Sequence, residues 1–471
     1  MMVSALSLIL VGALALTAGW CLVFNDSQGA TKYGWAVQPQ QIHLSWAVDH
    51  DNCMIITWNT LETTPTTTAI LFENGTGPAI QASGSQSPLI ENDVVSPQMS
   101  DMVWSALAMV GQVRFSGKRT QYVHRVNACG LKHSTRYSYK VGDSESGWSS
   151  TYQFTFKRHA SLDSPLAFAV YGDLGDANSR SLAMIQNRIA QGSIDAVIHV
   201  GDFAYDLNDN GGRVGDDFMN DIQPISTAVP YMTCPGNHES NEDFNDYRER
   251  FSRSYSDDDE PRMWYSFNVH NIHFISLSTE VLFFGRREEQ QAQYEWLESD
   301  LIRANSNRNQ RPWIIAFGHR PPYCSNNNGD DCSKQDSVVR KGIAQSDGRR
   351  LFGFEDLLVQ YSVDLAIWAH EHDYERLFPM ADFELRKGED DPYRNPMGPV
   401  HVVTGSAGCK EDHDGFVFPQ PSWSAVRFAD YGFSLMRVHN DSHLEWEQFS
   451  IDRGGIVADH FWLVQTRGRQ K

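Results

Sequence analysis

Leu166-Ala167-Phe168-Ala169-Val170-Tyr171-Gly172-Asp173-Leu174-Gly175 is the stretch from which the rest of the chain is read. Its uncharged apolar and aromatic run suits a strand buried on both faces, and the Gly-Asp pair that follows ends it in a polar turn. The pattern recurs. Ala196–Val200 leads into Gly201-Asp202-Phe203-Ala204-Tyr205, and residues 231–233 are followed by Pro235-Gly236-Asn237-His238-Glu239. Trp313–Phe317 delivers Gly318-His319, and Leu365–Trp368 delivers Ala369-His370-Glu371-His372. Ligands of open α/β sheets bind in the crevice outside the carboxyl ends of strands. Runs that each finish in Asp, Asn or His therefore predict one shared pocket. Glycines beside these donors let the backbone leave a strand sharply and approach an ion without a Cβ clash.

Taken singly, the pieces have ordinary readings. Asp173 and Asn237 suit turns, His319 a hydrogen-bonded core histidine, and Tyr205 a tyrosine packed behind its loop. The His370-x-His372 pair says more, because alternate residues of an extended segment share a face and can grip neighbouring ions. A donor set of carboxylate, amide, phenol and imidazole without cysteine suits iron, zinc or manganese better than a structural zinc or a calcium cage.

Working outward, helical periodicity separates the buried runs. Ser179 reads as the cap of a helix that carries Leu182, Ile185 and Ile189 on one face and ends near Gly192. A second helix is expected from Glu288 to Ala304, with Tyr294, Leu297 and Leu301 on one stripe, and a third over residues 349–361. Val400–Thr404, Gly432–Val438 and residues 444–449 read as closing strands. The alternation predicts a layered α/β domain over residues 165–465. Residues 36–158 differ in texture. Short β-branched or aromatic runs such as Met54-Ile55-Ile56-Thr57-Trp58 and Tyr122-Val123-His124-Arg125-Val126 alternate with polar turns, which predicts an antiparallel β-sandwich. A linker is expected over residues 158–165. The acidic run Asp257-Asp258-Asp259-Glu260 reads as a solvated loop.

Composition bounds the function. With 59 acidic against 39 basic residues and a formal charge of -20, the chain lacks the clustered cations that nucleic acid or an anionic membrane surface requires. An anionic small substrate stays open, because charges beyond a Debye length of ~8 Å are largely screened and cations at the site decide. Residues 1–24 are uncharged and rich in Leu, Ala, Val and Ile, and read as a signal peptide cleaved between residues 18 and 30. An uncleaved anchor is the minor alternative. Beyond Cys21, the cysteines Cys53, Cys129, Cys234, Cys324, Cys332 and Cys409 form an even set, expected to be disulfide-bonded in an oxidising compartment. Cys324 with Cys332, and Cys53 with Cys129, are the suggested pairs. Asn-x-Ser/Thr sites at Asn25, Asn74 and Asn440 point the same way, to a secreted glycoprotein outside the cell or in the lysosomal lumen.

The ordered series Asp-x-Gly, Gly-Asp-x-x-Tyr, Gly-Asn-His-Glu, strand-terminal His and His-x-His resembles the purple acid phosphatases, within the calcineurin-like metallophosphoesterases. Arg320-Pro321-Pro322-Tyr323 and Asp373-Tyr374-Glu375-Arg376 are similar to that family too. The resemblance implies a fibronectin III-like sandwich ahead of the catalytic domain. It implies hydrolysis of small phosphate monoesters by a water or hydroxide activated at a dinuclear metal centre, with no nucleic acid and no stable membrane association. Carried over by position, Asp173, Asp202, Tyr205 and His372 would hold Fe(III). Asp202 would bridge to a divalent Fe, Zn or Mn completed by Asn237, His319 and His370. His238 would bind phosphate or aid proton transfer. Two departures stand out: Ala369 occupies the place of a glycine before His-x-His, and residues 320–331 hold no histidine. The leaving-group acid is therefore open, with His413 or Glu371 as substitutes. The alternatives are another secreted metallophosphoesterase acting on nucleotides or phosphodiesters, and a secreted binding glycoprotein with an inactive site.

Overall fold

β-Branched and aromatic residues give the amino-terminal part its strands, and parallel buried runs give the remainder its sheets. The computed structural model describes residues 34–95, 115–158, 165–251 and 263–466. The apolar leader, Asn25 and the acidic run at 257–260 lie outside the described residues, as does most of the expected linker. Asn74 and Asn440 are exposed. No helix among the described residues is long and apolar enough to cross a membrane.

The first domain contains β1 (Gln40–Trp46), β2 (Met54–Thr60), β3 (Thr68–Glu73), β4 (Ala79–Ser83), β5 (Ser85–Val95), β6 (Phe115–Ala128), β7 (Thr135–Asp143), β8 (Gly147–Trp148) and β9 (Tyr152–Phe156). They form two antiparallel sheets, β1-β2-β6-β5 and β4-β3-β7-β8, with β9 on β7. Trp58, Leu71, Val126 and Tyr137 meet between them.

The second domain stacks two mixed sheets. One runs β12-β11-β10-β24-β25-β26, built from β10 (Leu166–Tyr171), β11 (Ala196–Val200), β12 (Tyr231–Cys234), β24 (Gly432–Val438), β25 (His443–Ser450) and β26 (Ile456–Val464). The other runs β13-β14-β15-β18-β22-β19-β23. Its strands are β13 (Tyr265–Val269), β14 (Ile272–Ser276), β15 (Trp313–Phe317), β18 (Leu365–Trp368), β19 (Tyr374–Leu377), β22 (Val400–Thr404) and β23 (Ser424–Phe428), while β16 (Gly342–Ala344) with β17 (Arg350–Phe352) and β20 (Met380–Ala381) with β21 (Glu384–Leu385) form separate two-stranded sheets. Strands β10, β11 and β12 are parallel, as are β14, β15, β18 and β22. All five donor-bearing loops consequently leave carboxyl ends of parallel strands. The two-residue period sorts side chains between layers. Trp313, Ile315 and Phe317 face the core shared with the first sheet, where Phe168 meets Phe274 edge-on at 5.2 Å. Ile314 and Ala316 face Leu297, Leu301, Leu357 and Leu358 on the outer helices.

The helices are α1 (Leu182–Ala190), α2 (Asp209–Ser226), α3 (Asn241–Arg250), α4 (Val281–Phe284), α5 (Arg287–Ser306), α6 (Val338–Lys341) and α7 (Glu355–Gln360). Three expectations need correction. Ser179 does not cap α1; the chain up to Ser181 is tied to another loop through Ser181 N to Ala407 O at 2.9 Å, so the helix starts at Leu182. Residues 349–361 are not one helix: Arg350–Phe352 pairs with Gly342–Ala344 as a small hairpin, and Phe352 at φ 72° breaks the run before α7. Arg158, placed in a linker, is fully buried and donates to Asn268 O and His50 O at 3.0 Å, which knits the two domains together.

The domains share more than that one residue. Trp46 reaches Phe267 at 5.9 Å, Ile42 N donates to Gln223 Oε1 at 2.9 Å, and Ser226 Oγ donates to Ile42 O at 2.9 Å. Arg250 on α3 is buried and pairs at 3.1 Å with Glu91 of the sandwich, with Asp216 of α2 and with Asp246 of its own helix. Such a buried cation is tolerable only because its donors are matched. Burial and the neighbouring Asp246 push the Glu91 carboxyl up to about 8.

The sandwich also fixes a histidine. Thr60 Oγ1 donates to Glu62 O at 2.7 Å, so it accepts from His124 Nε2 at 2.7 Å, and Nδ1 accepts from Thr67 Oγ1 at 2.9 Å. That neutral ring stacks on Trp58 at 5.0 Å. Burial, aided by the Arg125 charge, lowers its pKa from 6.5 to about 4. The unfolded ring protonates first, so this contribution is complete above pH 6.5 and is lost as pH falls towards 4, on the order of 3 kcal/mol in all. Thermal melts of His124→Gln are expected to start from a lower midpoint at pH 7 and to lose less between pH 6.5 and 4 than the parent. Parallel midpoint curves would contradict this account.

Candidate metal centre

Steric strain at the loop starts sets the geometry. Asp173, Asp202, Tyr205 and His370 have φ of 56°, 50°, 58° and 70°, in a region that non-glycine residues rarely adopt, at a cost on the order of 1–3 kcal/mol each. Tertiary contacts hold them there. Gly172 lies where an added Cβ would fall 2.4 Å from Ala369 Cβ, so the two loops approach as closely as a glycine allows. That same contact shows how Ala369 is accommodated: the missing side chain is on the opposite loop. Glu239 ties two further loops together, accepting from Asp202 N at 2.9 Å, Phe203 N at 3.0 Å and Gly236 N at 2.8 Å. Burial, reinforced by Asp202, pushes its carboxyl up to about 8.

The structure brings all seven candidate ligands together. Tyr205 OH lies 2.8 Å from His372 Nε2 and 3.1 Å from Asp173 Oδ1, and His372 Nε2 lies 3.5 Å from the same carboxylate oxygen. Next to this group, His319 Nε2 is 3.2 Å from Asp202 Oδ2 and 3.2 Å from Asn237 Oδ1. Asp202, His319 and His370 place ligand atoms within 4.8 Å of one another. Two lobes result, with Asp202 beside the second.

The donor set suits cations on two counts. Ligand atoms ~2.1 Å from a common ion and at right angles stand about 3 Å apart, the spacing these atoms already have. Asp173 and Asp202 are also wholly buried, and among the described residues their ion-pair partners are imidazoles rather than Lys or Arg. Burial would lower His319, yet the Asp202 carboxylate overrides it and holds the ring up at about 10. For His372, burial is likewise overcome, here by Asp173 and Cys409, and the pKa is raised. Burial and the adjacent Asp173 and Asp202 raise Tyr205 above the usual phenol. Protons thus stand where cations would balance the charge.

Surrounding groups aim the imidazoles. His319 Nδ1 is 2.9 Å from Val200 O, which leaves Nε2 for the centre, and His372 Nδ1 is held by Glu411 O at 3.1 Å and Asp412 O at 3.0 Å. Such outer contacts fix tautomer and ring plane. His238 Nδ1 meets Asp206 Oδ1 at 3.1 Å while Nε2 lies between Glu411 Oε1 at 3.7 Å and Asp202 Oδ2 at 4.0 Å. His370 Nε2 touches Arg320 Nη1 at 2.7 Å and Asp330 Oδ2 at 3.1 Å.

Glu371 and His413, the candidate leaving-group acids, differ in exposure, and the cysteine pairing is incomplete. Glu371 is fully buried, with Oε1 3.0 Å from Cys332 Sγ and Oε2 accepting from Asn328, and so faces away from solvent. His413 bonds through Nδ1 to His372 O at 3.0 Å and packs on Tyr431. The six cysteines beyond Cys21 are not all paired: Cys53–Cys129 and Cys324–Cys332 are bridged, whereas Cys234 and Cys409 are buried free thiols. Cys409 sits 3.3 Å from His372 Nδ1, on a strand-distant loop, with no second cysteine near it to pair with among the described residues. Glu239, Arg320, Asp330 and Asp206 were given no role from the sequence; Glu239 and Arg320 lie inside the quoted motifs, so position was the signal available.

Residues 166–374 match the calcineurin-like phosphoesterase family, residues 398–460 the iron/zinc purple acid phosphatase-like protein C, and residues 39–156 the purple acid phosphatase N-terminal domain. This chain belongs to the purple acid phosphatase family. It is 41% identical over 433 residues to human (Homo sapiens) acid phosphatase type 7, covering 91% of each chain. It is 26% identical over 443 residues to the Fe(3+)-Zn(2+) purple acid phosphatase 12 of Arabidopsis thaliana, covering 90% of this chain and 84% of that one. The fold of the family is shared with a purple acid phosphatase from yellow lupin (Lupinus luteus) seeds, at TM-score 0.70 and 22% identity over 91% of this chain and 74% of the other. The fibronectin III-like sandwich ahead of an α/β metallophosphoesterase domain is therefore the architecture of this family member.

Close approach at Gly236 gives a test of loop packing. A Cβ there would fall 2.1 Å from Asp202 Oδ1 and 2.5 Å from Asp202 N. Gly236→Ala is expected to displace the Asp202 carboxylate and lower bound metal and hydrolysis ~10–100-fold while circular dichroism stays native. Unchanged metal content by elemental analysis would show that the loops can part without cost.

Proposed function

We propose that this chain is an acid phosphatase that hydrolyses small phosphate monoesters at a dinuclear metal centre. The observation that carries the reading is the convergence of seven residues from five loops: contacting donor atoms of Asp173, Asp202, Tyr205, Asn237, His319 and His372 stand 2.8–3.5 Å apart, and His370 offers a ligand atom within 4.8 Å of those of Asp202 and His319. In this reading Asp173, Tyr205 and His372 would hold Fe(III), Asn237, His319 and His370 would hold a divalent Fe, Zn or Mn, and Asp202 would serve both. A relative named for Fe(3+) and Zn(2+) supports that pair.

A pair of ions held there would supply Lewis acidity and a nucleophilic water or hydroxide. The residues of this chain supply placement. Asp202 is held by His319 on one side and accepts from His238 N at 3.0 Å on the other, so its carboxylate cannot rotate away. His238, steadied by Asp206, offers Nε2 to a phosphate oxygen; preorganised donors of this kind act where charge develops and cost no reorganisation. The buried walls around Asp173 and Glu239 keep water out behind the ligands. Phosphate monoester hydrolysis can demand up to ~10²¹-fold acceleration, far beyond the ~10²–10⁴-fold that one acid or base provides, which is why such a centre suits the reaction.

Secretion or delivery to the lysosomal lumen accompanies this reading. The two disulfides suit an oxidising compartment. Cys234 and Cys409 escape oxidation there because both are buried.

Purified protein is expected to bind close to two metal ions, to absorb in the visible and to hydrolyse an aryl phosphate. Tyr205→Phe should remove the colour, since the phenolate carries it. Asp202→Ala should lose metal and more than ~100-fold of activity together. A colourless, iron-free enzyme with a preference for nucleotides or diesters would favour another metallophosphoesterase activity, and retained hydrolysis in Asp202→Ala would remove the bridging role.

A further inference from the structure

Arg320 occupies an unusual position for a cation. Its Nε contacts both oxygens of the buried Glu280, at 3.0 and 3.1 Å, and its guanidinium lies over Phe283 at 4.7 Å. Its backbone N donates to Thr279 Oγ1 at 2.9 Å, and that hydroxyl in turn donates to Glu280 Oε1 at 3.1 Å. One edge and one face of the guanidinium are thus fixed before any ligand arrives. The remaining edge points at the centre, where Nη1 stands 2.7 Å from His370 Nε2.

His370 does not hold that edge firmly. The same Nε2 lies 3.1 Å from Asp330 Oδ2, and an imidazole N–H that donates to the carboxylate has no lone pair for Nη1. Nη1 is therefore able to turn to a charged oxygen bound beside His370. The donor is preorganised, planar and always charged, which suits a phosphoryl group.

Resting on the proposed metal centre, we infer that Arg320 is a substrate-binding residue that donates from its free edge to an oxygen of the metal-bound phosphoryl group, and that Glu280 and Phe283 are its positioning residues. The shared chemistry is tetrahedral phosphate, whether as monoester or as the inorganic product.

The test uses the full-length, metal-loaded protein with an aryl phosphate as substrate and inorganic phosphate as competitive inhibitor. Arg320→Met is expected to raise both KM and the phosphate inhibition constant at least about tenfold, the loss typical of one charge-assisted hydrogen bond, with two metals still bound per chain. Arg320→Lys should recover part of the phosphate affinity, and Glu280→Gln, which frees the guanidinium without removing it, should give an intermediate loss. A phosphate inhibition constant unchanged within twofold in Arg320→Met would overturn the inference, and so would a loss matched by departure of metal, because Arg320 would then serve only His370. Should the parent protein itself bind no metal and hydrolyse nothing, the reading of the centre falls first and this inference falls with it.

Discussion

Burial of two carboxylates is the constraint on which this molecule depends. Asp173 and Asp202 are taken wholly out of water at the ends of β10 and β11, in backbone conformations that cost energy, and isolated charges in such a place would shift their pKa or unfold the loop. Imidazoles from the opposite sheet meet them, and His370 N reaches back to Asp173 Oδ2 at 2.9 Å. The two sheets are therefore held at their ligand-bearing edge by charge and at their interior by Phe168, Phe274 and Ile315. Chemistry and architecture use the same contacts, and the strain at Asp173, Asp202, Tyr205 and His370 is maintained by the packing of a large core.

Much of this arrangement was legible in the chain because donors sit directly after buried runs. A strand end is a local event, marked by a glycine and a change from apolar to polar residues, and so Asp173, Asp202, Asn237, His319 and His370 announce themselves at loop starts in the sequence. Helices α1 and α5 were legible for a similar reason, their apolar residues falling on one face. Helix α2 was not: Gly211 and Gly212 adopt positive φ near its start and Pro224 lies inside it, features that argue against a helix when propensity alone is weighed. Tertiary packing against β1 overrides them. Residues 349–361 misled in the opposite sense, because an apolar spacing compatible with a helix ran through Phe352, whose backbone turns left-handed.

Pairing was less legible than position. Six cysteines suggested a complete set of bridges, but thiols at Cys234 and Cys409 are separated by the fold and each is enclosed by core. The groups that aim the ligands were also hidden, since Glu411 O, Asp412 O and Val200 O are backbone atoms and carry no sequence signal. Glu239 was visible only as the last letter of a motif; its task of joining two loops needs the three-dimensional approach of Asp202 and Gly236. Loop 324–332, closed by its disulfide, sets Asn328 and Asp330 against Glu371 and His370, 43 and 40 residues further along the chain, a contact that no local pattern announces.

The arginine shared between the sandwich and helices α2 and α3 has an architectural consequence. Cutting the chain before β10 would not liberate a smaller working body, because Arg250 would lose Glu91, Asp216 would lose the Arg119 guanidinium and the Gln121 amide, and the face formed by Gln223, Ser226 and Thr227 would surrender its partners in β1 and β7. A single-domain version of this protein would require a rewritten surface on α2 and α3 as well as a shorter gene product. The leading sandwich is in this sense a structural wall of the hydrolase, and its sequence is constrained by what stands behind it.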